Sequence, residues 1–345
     1  MLTPFRIIAS FLYSLCYKID CSVRSKKSKI LPKPVFSVGN LTVGGTGKTP
    51  LTIRLAQDLM GLSLSPAILS RGYKGFLKGS SGPLIVTSED HQQKNVSEEI
   101  HLMAKKLKKV PIGCGPERFG VAESLLKESQ LDCFILEDGF QHWPIHRDLD
   151  IVCVDATDPW GSGHLIPWGK LREPRSALAR AQTIVLTRTE LASEESLHRL
   201  EETLKDLSPG AIILKSHFRF QLEDPDGNKM NLYQILNKAN VMAVSGIGNP
   251  MAFEKNLEQQ GAQVFPLRFS DHHNYSEKDK EHIVNVALKH RAIIVTTEKD
   301  WEKLRPLWRK SKNESVSFFI MHTDLHFDEE GEEKWFNMIK IYGKN

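Results

Sequence analysis

The stretch Phe36-Ser-Val-Gly-Asn-Leu-Thr-Val-Gly-Gly-Thr-Gly-Lys-Thr-Pro50 decides the fold of this chain. A short apolar run, Val35–Val38, leads into three glycines and then into a helical pattern over 50–60. Gly44, Gly45 and Gly47 let backbone N–H groups curl around phosphate oxygens without Cβ clashes. Lys48 brings a positive charge to the β and γ phosphates, and the Thr49 hydroxyl suits Mg²⁺. The helix that begins here adds its partial positive charge. Pro50 falls in its first turn, where a missing N–H costs nothing. Residues Thr42, Val43, Gly44, Gly45, Thr46, Gly47, Lys48 and Thr49 are therefore the expected loop for a nucleoside triphosphate and Mg²⁺. The strict pattern of such a loop wants glycine at position 42, where this chain has Thr.

Outward from this loop, short apolar runs alternate with helical patterns. Strands are expected at Val35–Val38, Ala67–Ser70, Leu84–Val86, Cys133–Leu136, Ile151–Asp155 and Thr183–Leu186. Helices are expected near 50–60, 97–108, 117–129 and 193–206. Alternation of this kind, with strands apolar on both faces, predicts a parallel sheet covered by helices on both sides. Residues 215–230 break the rhythm: an alternating stretch runs into Asp224-Pro-Asp-Gly227, a turn sequence. A second α/β series follows, with strands at Val241–Ser245, Gln263–Leu267, Ala292–Thr296 and Ser317–Met321. Its helices are expected near 250–260 and 277–289. The predicted class is α/β: a P-loop-type parallel-sheet domain over 35–214, a hairpin linker over 215–230 and a smaller α/β domain over 231–345.

A phosphate loop needs a metal-holding carboxylate at the end of a neighbouring strand. The apolar run ending in Glu137-Asp138-Gly139 supplies it, with Asp138 as the natural metal acid.

At 345 residues, with 40% apolar and 26% charged side chains, the chain is a folded protein of about two domains. Its charge is uneven. Residues 1–40 carry seven Lys or Arg against Asp20 alone, a balance of +6 in a chain whose total is +4. The uncharged run Ile7–Tyr17 is too short to span a bilayer, which takes about 20 residues. No small-residue cleavage site follows it, and a secreted protein would lack ATP. Phe5, Ile8, Phe11, Leu12 and Leu15 recur at helical spacing beside basic residues, which suits a helix lying in a membrane interface. A plain docking helix packed on the domain is the alternative. The expected membrane-associating segment is 1–34. The five cysteines are scattered and form no Cys-x-x-Cys, so no Cys/His metal site is expected. Cys133 and Cys153 fall in strand-like runs and read as buried free thiols of a reducing compartment.

The run Glu137-Asp-Gly-Phe-Gln-His142 resembles the Asp-Asp-Gly-Phe-Gln-His motif of the tetraacyldisaccharide 4′-kinases, the lipid A 4′-kinases. The flanks of the nucleotide loop are similar to that family as well. In family order there follow Leu69-Ser-Arg-Gly-Tyr-Lys-Gly75, Gly161-Ser-Gly-His-Leu-Ile-Pro167, Leu171-Arg-Glu-Pro174, Gly246-Ile-Gly-Asn-Pro250, Phe269-Ser-Asp-His-His273 and Thr297-Glu-Lys-Asp300. The resemblance covers about residues 35–300. It implies transfer of the ATP γ-phosphate to the 4′-hydroxyl of an acylated glucosamine disaccharide 1-phosphate. It also implies two α/β domains with the active site in the cleft. The implied location is the cytoplasmic face of a bacterial inner membrane, held peripherally by anionic lipids. Neither nucleic acid nor an obligate protein partner is expected.

A sugar hydroxyl is a poor nucleophile and is helped by a positioned base. In the family this is an Asp of a Gly-Asp-Glu-Pro motif, paired with the His of an Asp-His motif. The His corresponds to His272. The Asp corresponds to Glu98 in Val96-Ser-Glu-Glu-Ile100, which keeps the carboxylate on one more methylene; Glu99 is the second candidate. Read without the family, Glu98 is a helix-N-terminal acid after Ser97, and His272 a loop histidine. The family's first metal-motif Asp is also replaced here, by Glu137.

Glu173 matches a family acid near the metal, as a direct ligand or in the ion's outer sphere. Arg71, Lys74, Arg118, Gln141, His142 and Arg172 are candidates for substrate and phosphate contacts, the arginines through bidentate hydrogen bonds. Surface salt bridges are the equal alternative for the cations. Phe140, Trp143, Trp160 and Trp168 crowd one segment. They read either as an acyl-chain surface or as core packing.

Two other readings make different demands. A regulatory or metallochaperone GTPase needs Asn-Lys-x-Asp and a Cys/His cluster; the nearest run is Thr297-Glu-Lys-Asp300, and there is no cluster. A weakened relative that binds ATP and lipid but transfers poorly has the Glu98 exchange as its support.

Overall fold

The computed structural model describes residues 27–72, 84–86, 96–308 and 316–343. The described residues up to His217, together with those from Leu325 onward, form one compact unit, and Phe218–Asp324 form a second.

The first unit is built on a sheet of β1 (Val35–Asn40), β2 (Pro66–Ser70), β3 (Leu84–Val86), β4 (Ile112–Cys114), β5 (Cys133–Glu137), β6 (Leu149–Asp155), β7 (Thr183–Thr187) and the start of β8 (Ile212–Glu223). Their order is β8-β7-β6-β1-β5-β2-β4-β3. All pairs are parallel except β3, which runs antiparallel to β4. The connecting helices are α1 (Lys48–Gly61), α2 (Glu98–Lys106), α3 (Arg118–Glu128) and α4 (Glu194–Leu207). The sheet is apolar on both faces, as parallel strands between helices must be. In β5, Phe134 and Leu136 pack with Val121, Ala122 and Leu125 of α3. Cys133 and Ile135 point the other way by strand alternation and are equally buried. Val152 and Val154 of β6 pack with Leu200 and Leu204 of α4.

β1 lies between β5 and β6: the chain leaves it toward β2 on one side and later crosses back from β5 to lay β6 on the other. This is the switch point at which open α/β sheets bind ligands, beyond the carboxyl ends of the strands. The glycine-rich loop leaves β1 there.

The unit is completed by the chain's last helix, α9, which spans Glu329–Gly343 and follows α5 (Leu232–Leu236), α6 (Pro250–Gln259), α7 (Glu277–His290) and α8 (Glu298–Trp308). Trp335, Met338 and Ile339 of α9 are buried. Trp335 Nε1 donates to Asp58 Oδ2 at 2.7 Å, and Arg54 of α1 pairs with Glu332. This return differs from the expected boundaries. Residues 325–343 belong with the nucleotide-loop sheet and not with a domain running from 231 to the end. Residues 218–230 belong with the second unit.

The second unit's sheet runs β11 (Gln263–Arg268), β10 (Asn240–Ser245), β12 (Ile293–Thr297), β13 (Phe318–Phe327), β8, with β9 (Lys229–Met230) antiparallel on β8. The β8–β9 hairpin turns as Asp224-Pro-Asp-Gly227 predicts. Asp224 Oδ1 accepts the N–H groups of Asp226 and Asn228, and Gly227 adopts φ +94°. α7 starts with a full capping box between Ser276 and Asp279.

Cys114, Cys133 and Cys153 are buried free thiols. Burial pushes each of them up to about 12, so none is a thiolate at neutral pH.

Candidate functional site

The loop between β1 and α1 is held from three directions. Gly44 and Gly47 take φ of +122° and +90°, which a Cβ would resist, and Gly47 is the residue that starts α1. From below, the Asn40 side chain donates to the Thr42 carbonyl at 2.6 Å and to Thr46 Oγ1 at 2.9 Å. From one side, Val43 donates its N–H to Lys170, and Arg172 donates its own to Leu41, each at 2.7 Å. From the other, Thr187 Oγ1 donates to the Thr46 carbonyl and Arg188 Nη2 to the Gly45 carbonyl, each at 2.9 Å. Carbonyl oxygens repel phosphate, and each of these is fixed on a protein donor. Arg188 is itself oriented by a buried ion pair with Asp155.

β5 delivers the acids. Its register sets Glu137 level with Val38, so Asp138 begins the turn beside the nucleotide loop. Asp138 takes φ +47°, and the Gly139 N–H closes on the Val38 carbonyl at 3.1 Å. A Cβ on Gly39 would stand 2.5 Å from Phe140 Cβ, so only glycine lets β1 and this turn approach so closely. Lys48 Nζ lies 3.7 Å from Asp138 Oδ1, and Arg172 Nη1 donates to both Asp138 oxygens at 2.9 Å. Burial alone would raise the Asp138 pKa. The Lys48 and Arg172 charges override it and hold the group at about 2.

Glu137 goes the opposite way. Burial and the neighbouring Asp138 charge push its carboxyl up, against the pull of Arg118 and Lys48 and a 3.0 Å hydrogen bond from Ser70 Oγ. Adjacent acids driven apart in this way are a feature of catalytic sites. Arg118 is 4% exposed and donates Nη1 to the Glu137 carbonyl at 2.9 Å. Burial lowers its pKa, and Glu137 and Asp138 work against that. Its place is under the acidic turn, as a brace.

Glu173 is fully buried. Its oxygens accept from Arg180 Nη1 at 2.9 Å, Arg180 Nη2 at 3.2 Å and Gln141 Nε2 at 2.9 Å. Gln141 also donates to the Asn40 carbonyl at 2.9 Å, and its Oε1 lies 3.3 Å from Arg172 Nη1. Arg180, Glu173, Gln141 and Arg172 thus form a chain that ends on Asp138. Of the two roles expected for Glu173, this geometry supports the outer-sphere one. Hard oxygen donors suit Mg²⁺. Thr49, the second residue of α1, and the ionised Asp138 provide them and fit that ion.

Phe140 and Trp143 are packing residues here. The Arg180 guanidinium lies 4.2 Å and 4.5 Å from their ring centres. Trp160 lies under Arg175, and Trp168 stacks on His164 at 3.8 Å. His142 closes the turn, donating its N–H to Gly139 and accepting from Arg147 at 2.7 Å. Arg71 is exposed at the end of β2, and Lys74 lies outside the described residues. Glu98 and Glu99 are half-buried in the first turn of α2, after Ser97.

In the second unit His272 adopts φ +61°, with its N–H on the Gly246 carbonyl at 3.1 Å. Its Nε2 is 3.8 Å from Asp271 Oδ2. Sequence reasoning singled out neither the Asn40, Asp155, Arg180 and Arg188 that hold the first unit's site nor the Tyr275 and Asp300 near His272. Their partners lie mostly tens of residues away, 143 for Arg188 and Gly45, so no local spacing marks them. Asn40 and Asp300 do fall inside family-like motifs, which was the available signal.

The family model of tetraacyldisaccharide-1-P 4′-kinase matches residues 1–340. A tetraacyldisaccharide 4′-kinase from Halothermothrix orenii is 36% identical over 307 residues, 84% of this chain and 79% of that one. One from Syntrophus aciditrophicus is 36% identical over 326 residues, 88% of this chain and 86% of its own length. A crystal structure of the "apo" form of LpxK from Aquifex aeolicus in complex with ATP is 31% identical. It superposes with a TM-score of 0.68 and covers 99% of this chain and 98% of that one. The motifs that surround the nucleotide loop are thus embedded in a likeness that runs the length of the chain, and the chain belongs to the tetraacyldisaccharide-1-P 4′-kinase family.

Proposed function

We propose that this chain transfers the γ-phosphate of ATP to the 4′-hydroxyl of tetraacyldisaccharide 1-phosphate, giving the 1,4′-bisphosphorylated lipid A precursor. The observation that carries this reading is the meeting of Lys48, Asp138 and Arg172 at the mouth of the glycine loop. Phosphoryl transfer is mostly positioning and charge stabilisation. The loop N–H groups and the start of α1 take the β and γ phosphates. Lys48 neutralises their charge, and Arg172 is placed to share its donors between Asp138 and phosphate oxygens. Thr49 and Asp138 would hold Mg²⁺, which when bound neutralises charge building between the β and γ phosphates. Glu173 keeps Gln141 and Arg180 in place behind them.

Glu98 accepts the proton of the 4′-hydroxyl in this reading, with Glu99 as the second candidate and His272 assisting, as the resemblance implies. Arg71 and Lys74 serve the substrate's 1-phosphate. The basic segment 1–34 holds the enzyme peripherally on the cytoplasmic face of the inner membrane, against anionic lipid. Its first 26 residues lie outside the described residues. Among the described residues no helix is long and apolar enough to cross a membrane.

The test is transfer of ³²P from γ-labelled ATP to detergent-solubilised tetraacyldisaccharide 1-phosphate. Wild type labels the lipid, and Lys48→Ala loses about 100-fold or more. No labelling by the wild type overturns the kinase reading. For the membrane, deleting residues 1–20 moves the protein from the membrane pellet to the supernatant; unchanged partitioning favours a docking helix.

A further inference from the structure

Asp300 is a buried carboxylate that the reaction just described does not use. It is 2% exposed. Its Oδ1 accepts the Gly246 N–H at 3.0 Å and the Tyr275 hydroxyl at 2.9 Å, and its Oδ2 accepts Thr297 Oγ1 at 2.7 Å. These donors come from three separate stretches: the turn after β10, the loop after β11 and the end of β12. Burial pushes the group's pKa up, and the three donors work against that. A buried charge is a weak source of stability, because a well-packed neutral residue often does as well.

What the carboxylate organises is the loop that carries His272. Gly246 gives its N–H to Asp300 and takes the His272 N–H on its carbonyl, at 3.1 Å. A Cβ on Gly246 would lie 3.1 Å from both Asp300 Oδ1 and the Tyr275 hydroxyl, and 3.2 Å from the Ser270 carbonyl. A side chain there would press on all three groups at once. His272 is held at φ +61°, a conformation that costs energy in a residue with a side chain. Around it, Phe269 donates its N–H to Ser245 at 2.8 Å, and Lys303 Nζ donates to the His273 carbonyl at 2.8 Å. Lys299, next to Asp300, reaches Asp271 at 4.0 Å. Tyr275 stands edge-on to Phe269 and His273, with ring centres 5.0 Å apart. Strain of this kind persists only where the surroundings over-determine it, and two of the groups around this loop, Gly246 and Tyr275, meet on Asp300.

We propose that Asp300 is the positioning residue of the His272 loop: through Gly246 and Tyr275 it fixes the direction in which the imidazole is presented to the reacting hydroxyl. The proposal rests on the reading that gives His272 a part in the reaction. It does not make Asp300 a catalytic residue, since Asp300 acts only through its neighbours.

The experiment is a double-mutant cycle on the full chain, read by kinetics and by amide hydrogen exchange. Asp300→Asn lowers kcat about 10- to 100-fold while the KM for ATP stays within about twofold, the result of a misplaced group. Added to His272→Ala, it costs no further loss beyond about twofold, because both act at one point. The His272 amide exchanges about tenfold faster or more in Asp300→Asn. Tyr275→Phe removes a single hydroxyl and moves each readout less, in the same direction, and it serves if the asparagine variant fails to fold. An equal kcat loss from Asp300→Asn with and without His272, or unchanged exchange at residue 272 in both variants, overturns the proposal. Wild-type kcat in His272→Ala overturns the reading of His272 itself, while the exchange measurement still passes or fails Asp300 on its own.

Discussion

Arg172 donates through one nitrogen, Nη1, to both carboxylate oxygens of Asp138, at 2.9 Å each. With Lys48 it holds that carboxylate at a pKa of about 2, below the ordinary 3.8. A carboxylate depressed in the fold adds stability above its unfolded pKa and loses it as pH falls through the folded one. The window therefore lies between about pH 4 and pH 2. Arg172→Ala is expected to lower the melting temperature at pH 6, with the gap to wild type narrowing as pH is lowered to 3. A gap that stays constant over that range would show that the pair does not hold Asp138 down.

Glu173 and Arg180 form a pair with one fully buried partner. Removing one member of such a pair is costly, on the order of 3 kcal/mol. Glu173→Ala should lose about that much in urea unfolding, and Glu173→Gln less, because the amide still accepts from Gln141. Equal stability of the alanine variant and the wild type would remove the buried chain behind Asp138.

Glu98, in the first turn of α2, is the proposed base on the strength of the family resemblance. General-base removal typically costs a factor of about 100 or more. Glu98→Gln should lower kcat by that order with little change in the KM for ATP, while Glu99→Gln stays near wild type. The opposite pattern transfers the role to Glu99.

Arg188 acts on the nucleotide loop from the far side, through the Gly45 carbonyl. Losing a charged hydrogen bond of this sort weakens a site by roughly tenfold. Arg188→Ala should raise the KM for ATP by about that factor and leave the KM for the lipid acceptor unchanged. A shift in the acceptor KM alone would contradict the assignment.

Much of the fold was legible because its signals are local. Val35–Val38, Cys133–Leu136 and Thr183–Leu186 are apolar runs bounded by turns, and they became strands within a residue or two. β4, Ile112–Cys114, escaped because Pro111, Gly113 and Gly115 interrupt the apolar run there. β13 runs past the expected Met321 because His322, Thr323 and Asp324 are polar yet stay in the strand. The return of α9 to α1 was invisible, since it rests on Trp335 meeting Asp58 across 277 residues. The site divides in the same way. Lys48 and Asp138 sit in contiguous motifs, whereas the donors that fix them were found only when distant stretches were brought together. Arg172 was open between a phosphate contact and a salt bridge, and it pairs with Asp138.

Because α9 belongs with α1, the second unit is an insertion within the first, bounded by His217 and Leu325. Translation therefore finishes the inner unit while the outer one still lacks its last helix. A nascent chain carries the whole glycine loop from early in synthesis, yet Arg54 and Asp58 of the helix behind it meet Glu332 and Trp335 only after everything in between has left the ribosome. The nucleotide end of this enzyme begins first and is completed last.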